Sequence, residues 1–281
     1  MKKLAVLLSI LLLTLVFAGC GGTNLFEGAA DDSSSAAKEF DAIRALDKGD
    51  YDSVISYYAS KSNLNPKQQV YLASAYLGKV NVDFINLIEV ADSDLDTFDI
   101  IASIFGGGEI AADPSSSSSV RAKAALTISD YLNAIELALG VLDENSTDKN
   151  VRTLKGVLGA LDTVLIIAKT VMDVSGVDYL VLSQEGIRDA LNGVMVDEND
   201  VVNNASDAND LDEANARINR NLTAIAGAID VFSSIKGGDS SDIKEDFQDF
   251  LDDLDYDSND IYDAGDIADY INHVIVGGHV G

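Results

Sequence analysis

Apolar residues recur at three- and four-residue steps over most of this chain, and that spacing constrains the fold more than any other feature. Between Val120 and Leu142 they fall at Ala124, Ile128, Leu132, Ile135, Leu139 and Leu142, with Gly140 the only glycine inside the run. The segment Val151 to Val174 contains VLGALDTVLIIAKTVMDV, apolar nearly all round, which is the pattern of a central helix with neighbours on several sides. Asp162, Lys169 and Asp173 argue against a membrane span there. Another helix is expected over Asp212 to Ile235 through Ala216, Ile218, Leu222, Ile225, Ile229 and Phe232, with Gly237-Gly238 ending it. Ile243, Phe247, Phe250, Leu251 and Leu254 mark an acidic amphipathic helix, and Ile261 to Val276 a last one. Tyr179 to Leu182 is the one strand-like stretch and is too short to build a sheet alone. The expected fold is all-α.

The first twenty residues specify an address. Lys2 and Lys3 precede Leu4 to Phe17, an apolar run of 14 residues broken only by Ser9 and Thr14, short of the roughly 20 needed to cross a bilayer as a helix. Ala18-Gly19 then leads to Cys20, the only cysteine of the 281 residues. This arrangement resembles a bacterial lipoprotein signal with its lipobox, except that Phe17 stands where the family prefers an aliphatic residue. The resemblance implies a signal peptide over 1–19, cleavage before Cys20 and lipid on its sulfur, which holds the protein on a membrane. Gly21, in place of an aspartate, points by the family's sorting habit to the outer membrane of a diderm, facing the periplasm or the cell surface.

Removing 1–19 leaves 262 residues without a cysteine to spare for a disulfide, so packing alone must hold the mature fold. The loss of Lys2 and Lys3 takes the formal charge from −28 to −30. Of the 47 acids 37 are aspartate, although glutamate is the better helix former. A surface of this sign repels phosphate backbones, so nucleic acid is not an expected partner.

Composition divides the rest. Residues 20–36 are small and polar enough for a flexible tether, and 106–119, GGGEIAADPSSSSS, reads as a linker between a helical region over 37–105 and a helical domain over 120–281. Within the first region, Gly49-Asp50-Tyr51-Asp52-Ser53-Val54-Ile55-Ser56-Tyr57-Tyr58, followed by Pro66, closely resembles the turn and second helix of a tetratricopeptide repeat. Leu72 to Gly78 resembles another first helix, although Val80-Asn81-Val82 replaces the Gly-Asp-Tyr that should follow it. The resemblance implies Gly49 in the turn, Tyr51 packed against Leu46 or Tyr76, and a groove or hairpin surface carrying Tyr51, Tyr57, Tyr58 and Tyr76 that binds a protein partner.

Signs of chemistry are sparse. Asp255, Asp257 and Asn259 at alternate positions, with Asp266 eleven residues after Asp255, resemble an EF-hand calcium loop. Asp260 occupies the place of its turn glycine, and Asp266 that of its bidentate glutamate. From Asp239 to Asp269 there are thirteen acids and only Lys244 to oppose them, so chance alternation on a solvated acidic helix pair is the preferred reading, with no metal and no cofactor expected. His273 and His279, six apart, fit neither a helical metal pair nor a triad, and Gly106-Gly107-Gly108 lacks the lysine of a phosphate loop, so no enzyme is expected. The expected function is that of a lipid-anchored cell-envelope scaffold or adaptor. The plan is similar to the tetratricopeptide lipoproteins of outer-membrane protein assembly and to the T-components of TRAP transporters. The alternative is a small-molecule or transporter-associated binding lipoprotein enclosing an apolar ligand beside Val157 to Met172, and a large closed cavity there would favour it.

Overall fold

The computed structural model describes residues 34–82, 109–112, 126–206, 208–235, 241–255 and 262–276. The chain divides into two units, Met1–Arg44 and Ala45–Gly281, and helix α1 (Ser35–Asp47) runs through the division. In the first unit Ser34 Oγ accepts from the Ala37 N–H at 3.1 Å, capping α1, and Arg44 lies over the Phe40 ring one turn earlier.

The second unit is all-α apart from one small ribbon. In chain order it holds α2 (Tyr51–Tyr58), α3 (Pro66–Gly78), β1 (Glu109–Ala111), α4 (Ile128–Gly140), α5 (Lys149–Ser175) and β2 (Tyr179–Val181). It continues with α6 (Gln184–Leu191), α7 (Glu198–Ala205), α8 (Leu211–Ile235), α9 (Ser241–Leu254) and α10 (Ala264–Asp269), which runs on as a wider π-type helix over Tyr270–Val276.

Aspartate is a poor helix interior residue and a good N-cap, and this chain uses it as a cap repeatedly. Asp50, Asp148, Asp197 and Asp263 head α2, α5, α7 and α10 with side-chain oxygens on the first free N–H groups. Asn65–Gln68 and Thr127–Asp130 form reciprocal capping boxes for α3 and α4, with Pro66 at the first helical position of α3. The Thr127 cap also starts α4 eight residues later than the apolar pattern from Val120.

Two helix ends show how sequence sets the turns. Gly49 at φ +74° closes α1: its N–H donates to the Leu46 carbonyl and that of Asp50 to the Ala45 carbonyl, a Schellman arrangement. Asn81 at φ +58° does the same for α3, with Asn81 and Val82 N–H groups donating to Gly78 and Leu77. The sequence Val80-Asn81-Val82 therefore performs the turn that Gly-Asp-Tyr would make, because asparagine tolerates the left-handed conformation.

Helix α5 is the axis of the core. From Leu158 to Met172 every residue but Lys169 is buried, and α3, α4, α6, α7 and α8 pack around it. Its closest partner is α8. Gly156 leaves no space for a side chain against Ala228, and a Cβ on Gly159 would lie 2.6 Å from the Asn221 carbonyl oxygen. The two backbones thus approach as only glycine permits, and α5 and α8 run antiparallel along the contact.

The expected linker at 106–119 is different in the structure. Its residues Glu109–Ala111 form β1, which pairs antiparallel with β2 in the register Glu109↔Val181, Ile110↔Leu180 and Ala111↔Tyr179. Ile110 is buried in the same apolar cluster as Leu77 before it and Ile128 after it. One buried apolar side chain, Ile110, anchors the described part of this stretch, residues 109–112. Tyr179–Val181 accordingly finds a partner strand despite its length.

The glycine contact has a measurable sign. Gly159→Ala should lower stability by about 1–3 kcal/mol through overpacking, even though alanine is the better helix former. Gly227→Ala, inside α8 but with nothing within 4 Å of its missing side chain, should raise stability by about 0.5–1 kcal/mol. Urea denaturation of both variants checks this, and equal signs would contradict the close approach.

Candidate functional site

Beside the buried stripe of α8 runs a polar one at helical spacing: Glu213, Arg217, Arg220, Thr223 and Gly227. Against it α5 presents Arg152 and Lys155, three residues apart and so on one face. These side chains, with Glu136 of α4 and Glu144 to Ser146 of the α4–α5 connection, line an open cleft of about 830 Å³. Four of the chain's 19 cationic side chains meet there, in a protein of net charge −28.

The floor of the cleft is a buried ion pair. Asp162 of α5 is wholly inaccessible, and its carboxylate accepts from Arg217 Nε at 2.8 Å and Nη2 at 2.7 Å, side by side. Asn221 Nδ2 donates a third hydrogen bond to Asp162 at 2.6 Å. Arg217 Nη1 faces the Ala205 carbonyl at 3.5 Å and Glu136 at 3.8 Å. A two-donor guanidinium–carboxylate pair with a third donor on the carboxylate makes a buried charge more tolerable, although Asn221 Oδ1 is itself buried with no hydrogen-bond partner among the described residues.

The other cations differ in how they are held. Arg152 donates through Nη2 to the Gly227 carbonyl. Arg220 has Nε and Nη2 buried with no hydrogen-bond partner among the described residues, a condition that costs roughly 1–3 kcal/mol or more for a charged donor. Burial pushes the Lys155 ammonium below the usual lysine range, and Arg220 adds to this against the opposing pull of Glu144 and Asp143. Lys155 and Arg220 both line the cleft, near enough for their charges to repel. The cleft thus gathers four cations and three glutamates, Glu136, Glu144 and Glu213, around a space open to solvent.

The tyrosines singled out in the sequence do not line this cleft. Tyr51 is half-buried with its ring over Gly78, and Gly49 is in the turn below it. Tyr58 is fully buried, with Tyr57 and Tyr71 rings against it, and Lys61 Nζ sits over Tyr57. Tyr76 packs on the core from its edge. They are hairpin and core residues, and from Leu158 to Met172 every residue but Lys169 is buried.

Of the calcium candidates, Asp257 and Asn259 lie outside the described residues, as do Cys20 and His279. Asp266 is buried and reaches back to the Asp263 N–H at 3.0 Å in the α10 capping box, which gives it a structural occupation. His273 is half-exposed, 3.8 Å from Asp269. Among the described residues no three His, Cys, Asp or Glu side chains group as a metal site, and no helix is long and apolar enough to cross a membrane.

No protein-family model matches the chain, and neither a curated protein nor a solved structure matches it. The cleft therefore stands on its geometry. Its sequence signal was the pair of i,i+3 cations, Arg152/Lys155 and Arg217/Arg220, within an acidic chain, which a search for helical core positions passes over.

Two outcomes follow from these environments. Asp162→Ala should cost roughly 3–5 kcal/mol because it strands the Arg217 charge, whereas Asp162→Leu with Arg217→Met should recover most of that loss; a single variant within about 0.5 kcal/mol of wild type in urea denaturation would contradict the pair. For Lys155, the lowered native pKa means the unfolded chain binds more protons just below the ordinary lysine value of 10.5. Stability should therefore rise with pH in that window. Lys155→Met should flatten that rise relative to wild type in melts taken across it.

Proposed function

We propose that this chain is a non-catalytic binding lipoprotein of the bacterial cell envelope, held to a membrane by lipid on Cys20, whose α5–α8 cleft receives a small polar ligand. The observation that carries this reading is the concentration of Arg152, Lys155, Arg217 and Arg220 in one cleft of ligand size on an otherwise acidic protein. A polar ligand is preferred to the apolar one of the sequence analysis because charged side chains line this cleft. The lipobox-like Phe17-Ala18-Gly19-Cys20 supports the anchor, and Gly21 supports the outer membrane.

The scaffold or adaptor reading keeps one observation of its own. The α2–α3 hairpin has Gly49 in a left-handed turn and Tyr51 on Gly78, an arrangement compatible with a tetratricopeptide-like start that offers a face to a protein partner. The cleft is the stronger feature because one of its cations, Arg220, with buried donors that have no hydrogen-bond partner among the described residues, has no structural explanation, whereas the tyrosines have one.

Cys20→Ser should move the protein from the membrane to the soluble fraction, since one lipid-bearing residue supplies the attachment. Native mass spectrometry of the full chain purified from membranes should show a small-molecule mass increment that unfolding releases. A Cys20→Ser protein that stays firmly in membranes would overturn the anchor. A chain without any increment, trapped to another protein by a photo-crosslinker at Ser56 of α2 and not at Thr223 of the cleft, would replace the binding reading with the scaffold.

A further inference from the structure

Arg217 and Arg220 sit one turn apart on α8 and present the same chemical edge to different surroundings. In Arg217 the Nε–Nη2 edge is filled by both oxygens of Asp162. In Arg220 the same two nitrogens are buried with no acceptor among the described residues. That edge is a planar fork with two parallel N–H donors, and its complement is a pair of oxygens on one carbon.

Among the described residues no carboxylate supplies that complement. Of the acids lining the cleft, Glu136 faces Arg217 and Glu213 accepts from Ser206 Oγ at 2.8 Å, while Glu144 acts on Lys155. Among the described residues no carboxylate fills this fork. We propose that Arg220 binds the carboxylate of a small organic acid through its Nε–Nη2 edge, with Lys155 as the second cation and the Asn219, Thr223 and Asn145 side chains available to the polar remainder of the ligand. The proposal rests on the reading of the cleft as a binding site and adds the ligand's chemical class. Arg217, already saturated by Asp162, is a positioning residue that fixes the floor. The lowered pKa of Lys155 fits two cations converging on one unfilled space, and an arriving carboxylate should raise it again.

The test uses the purified full chain at constant ionic strength, following the arginine Nε–H signals by NMR while acetate or lactate is added, with acetamide and lactamide as neutral controls and inorganic phosphate as the other oxyanion. The expected result is a saturable shift of the Arg220 signal with both acids, little movement of Arg217, and no saturation with the amides. Arg220→Gln should weaken the response to the acids by about tenfold or more, read on the Thr223 amide, and Arg220→Lys should recover only part of it because the ammonium lacks the fork. Neither variant should melt below wild type, since Arg220 has no described partner to lose. Equal saturation by acids and amides would overturn the proposal. So would a response confined to phosphate, or an unchanged affinity in Arg220→Gln. A membrane-derived small ligand that remains bound to Arg220→Gln in native mass spectrometry would leave the cleft as a binding site while removing the carboxylate assignment. A chain that carries no ligand and responds to no probe would remove both.

Discussion

The close approach of α5 and α8 is the contact on which the rest of the structure depends. Gly156 and Gly159 let the two backbones meet against Ala228 and Asn221, and the Asp162–Arg217–Asn221 network fixes their register at the same interface. A glycine pair alone would permit sliding. A buried ion pair alone would rarely repay its desolvation. Together they hold a single antiparallel alignment, which surrounds α5 with apolar neighbours and turns the polar stripe of α8 toward Arg152 and Lys155. The cleft is a consequence of that register, since Arg220 meets Lys155 only while Arg217 meets Asp162.

The acidity of the chain acquires a structural meaning from the helix ends. Aspartate outnumbers glutamate although it is the poorer helix former, and the N-termini of α2, α5, α7 and α10 show one reason: each is headed by an aspartate whose short side chain reaches the free N–H groups. Caps of this kind contribute about 1 kcal/mol each. Elsewhere the charge accumulates: on α9 burial, then Asp249 and Asp252, push the Asp253 carboxyl above its usual range. Such repulsion is weakened by salt. Against that background, four cations gathered in one place are the exception that carries the functional reading.

Much of the fold was legible because its longest elements are periodic. The apolar run over Val151–Val174 became α5 (Lys149–Ser175), and that over Asp212–Ile235 became α8 (Leu211–Ile235). Three residues of strand carry no period, so β1 at Glu109–Ala111 disappeared into a glycine- and serine-rich stretch. The split of the last helix into α10 and a π-type continuation, where Asn272 exchanges two hydrogen bonds with the Val196 backbone, likewise depends on a residue 76 positions away. The site was less legible still. Asp162 read as evidence against a membrane span, which is a statement about its own segment, whereas its partner Arg217 lies 55 residues downstream. Long-range pairing of two helices is what made a cleft out of four separated cations, and no local pattern contains it.

Amide hydrogen exchange on the full chain tests the central claim most directly. If the α5–α8 contact holds the fold, amides of Leu158–Val171 and of Ile218–Ile225 should exchange only through global unfolding, at one common free energy that is the highest in the molecule. Those of the α2–α3 hairpin should open at lower cost. Exchange of α5 or α8 through local opening, at a free energy below that of α2 and α3, would contradict it.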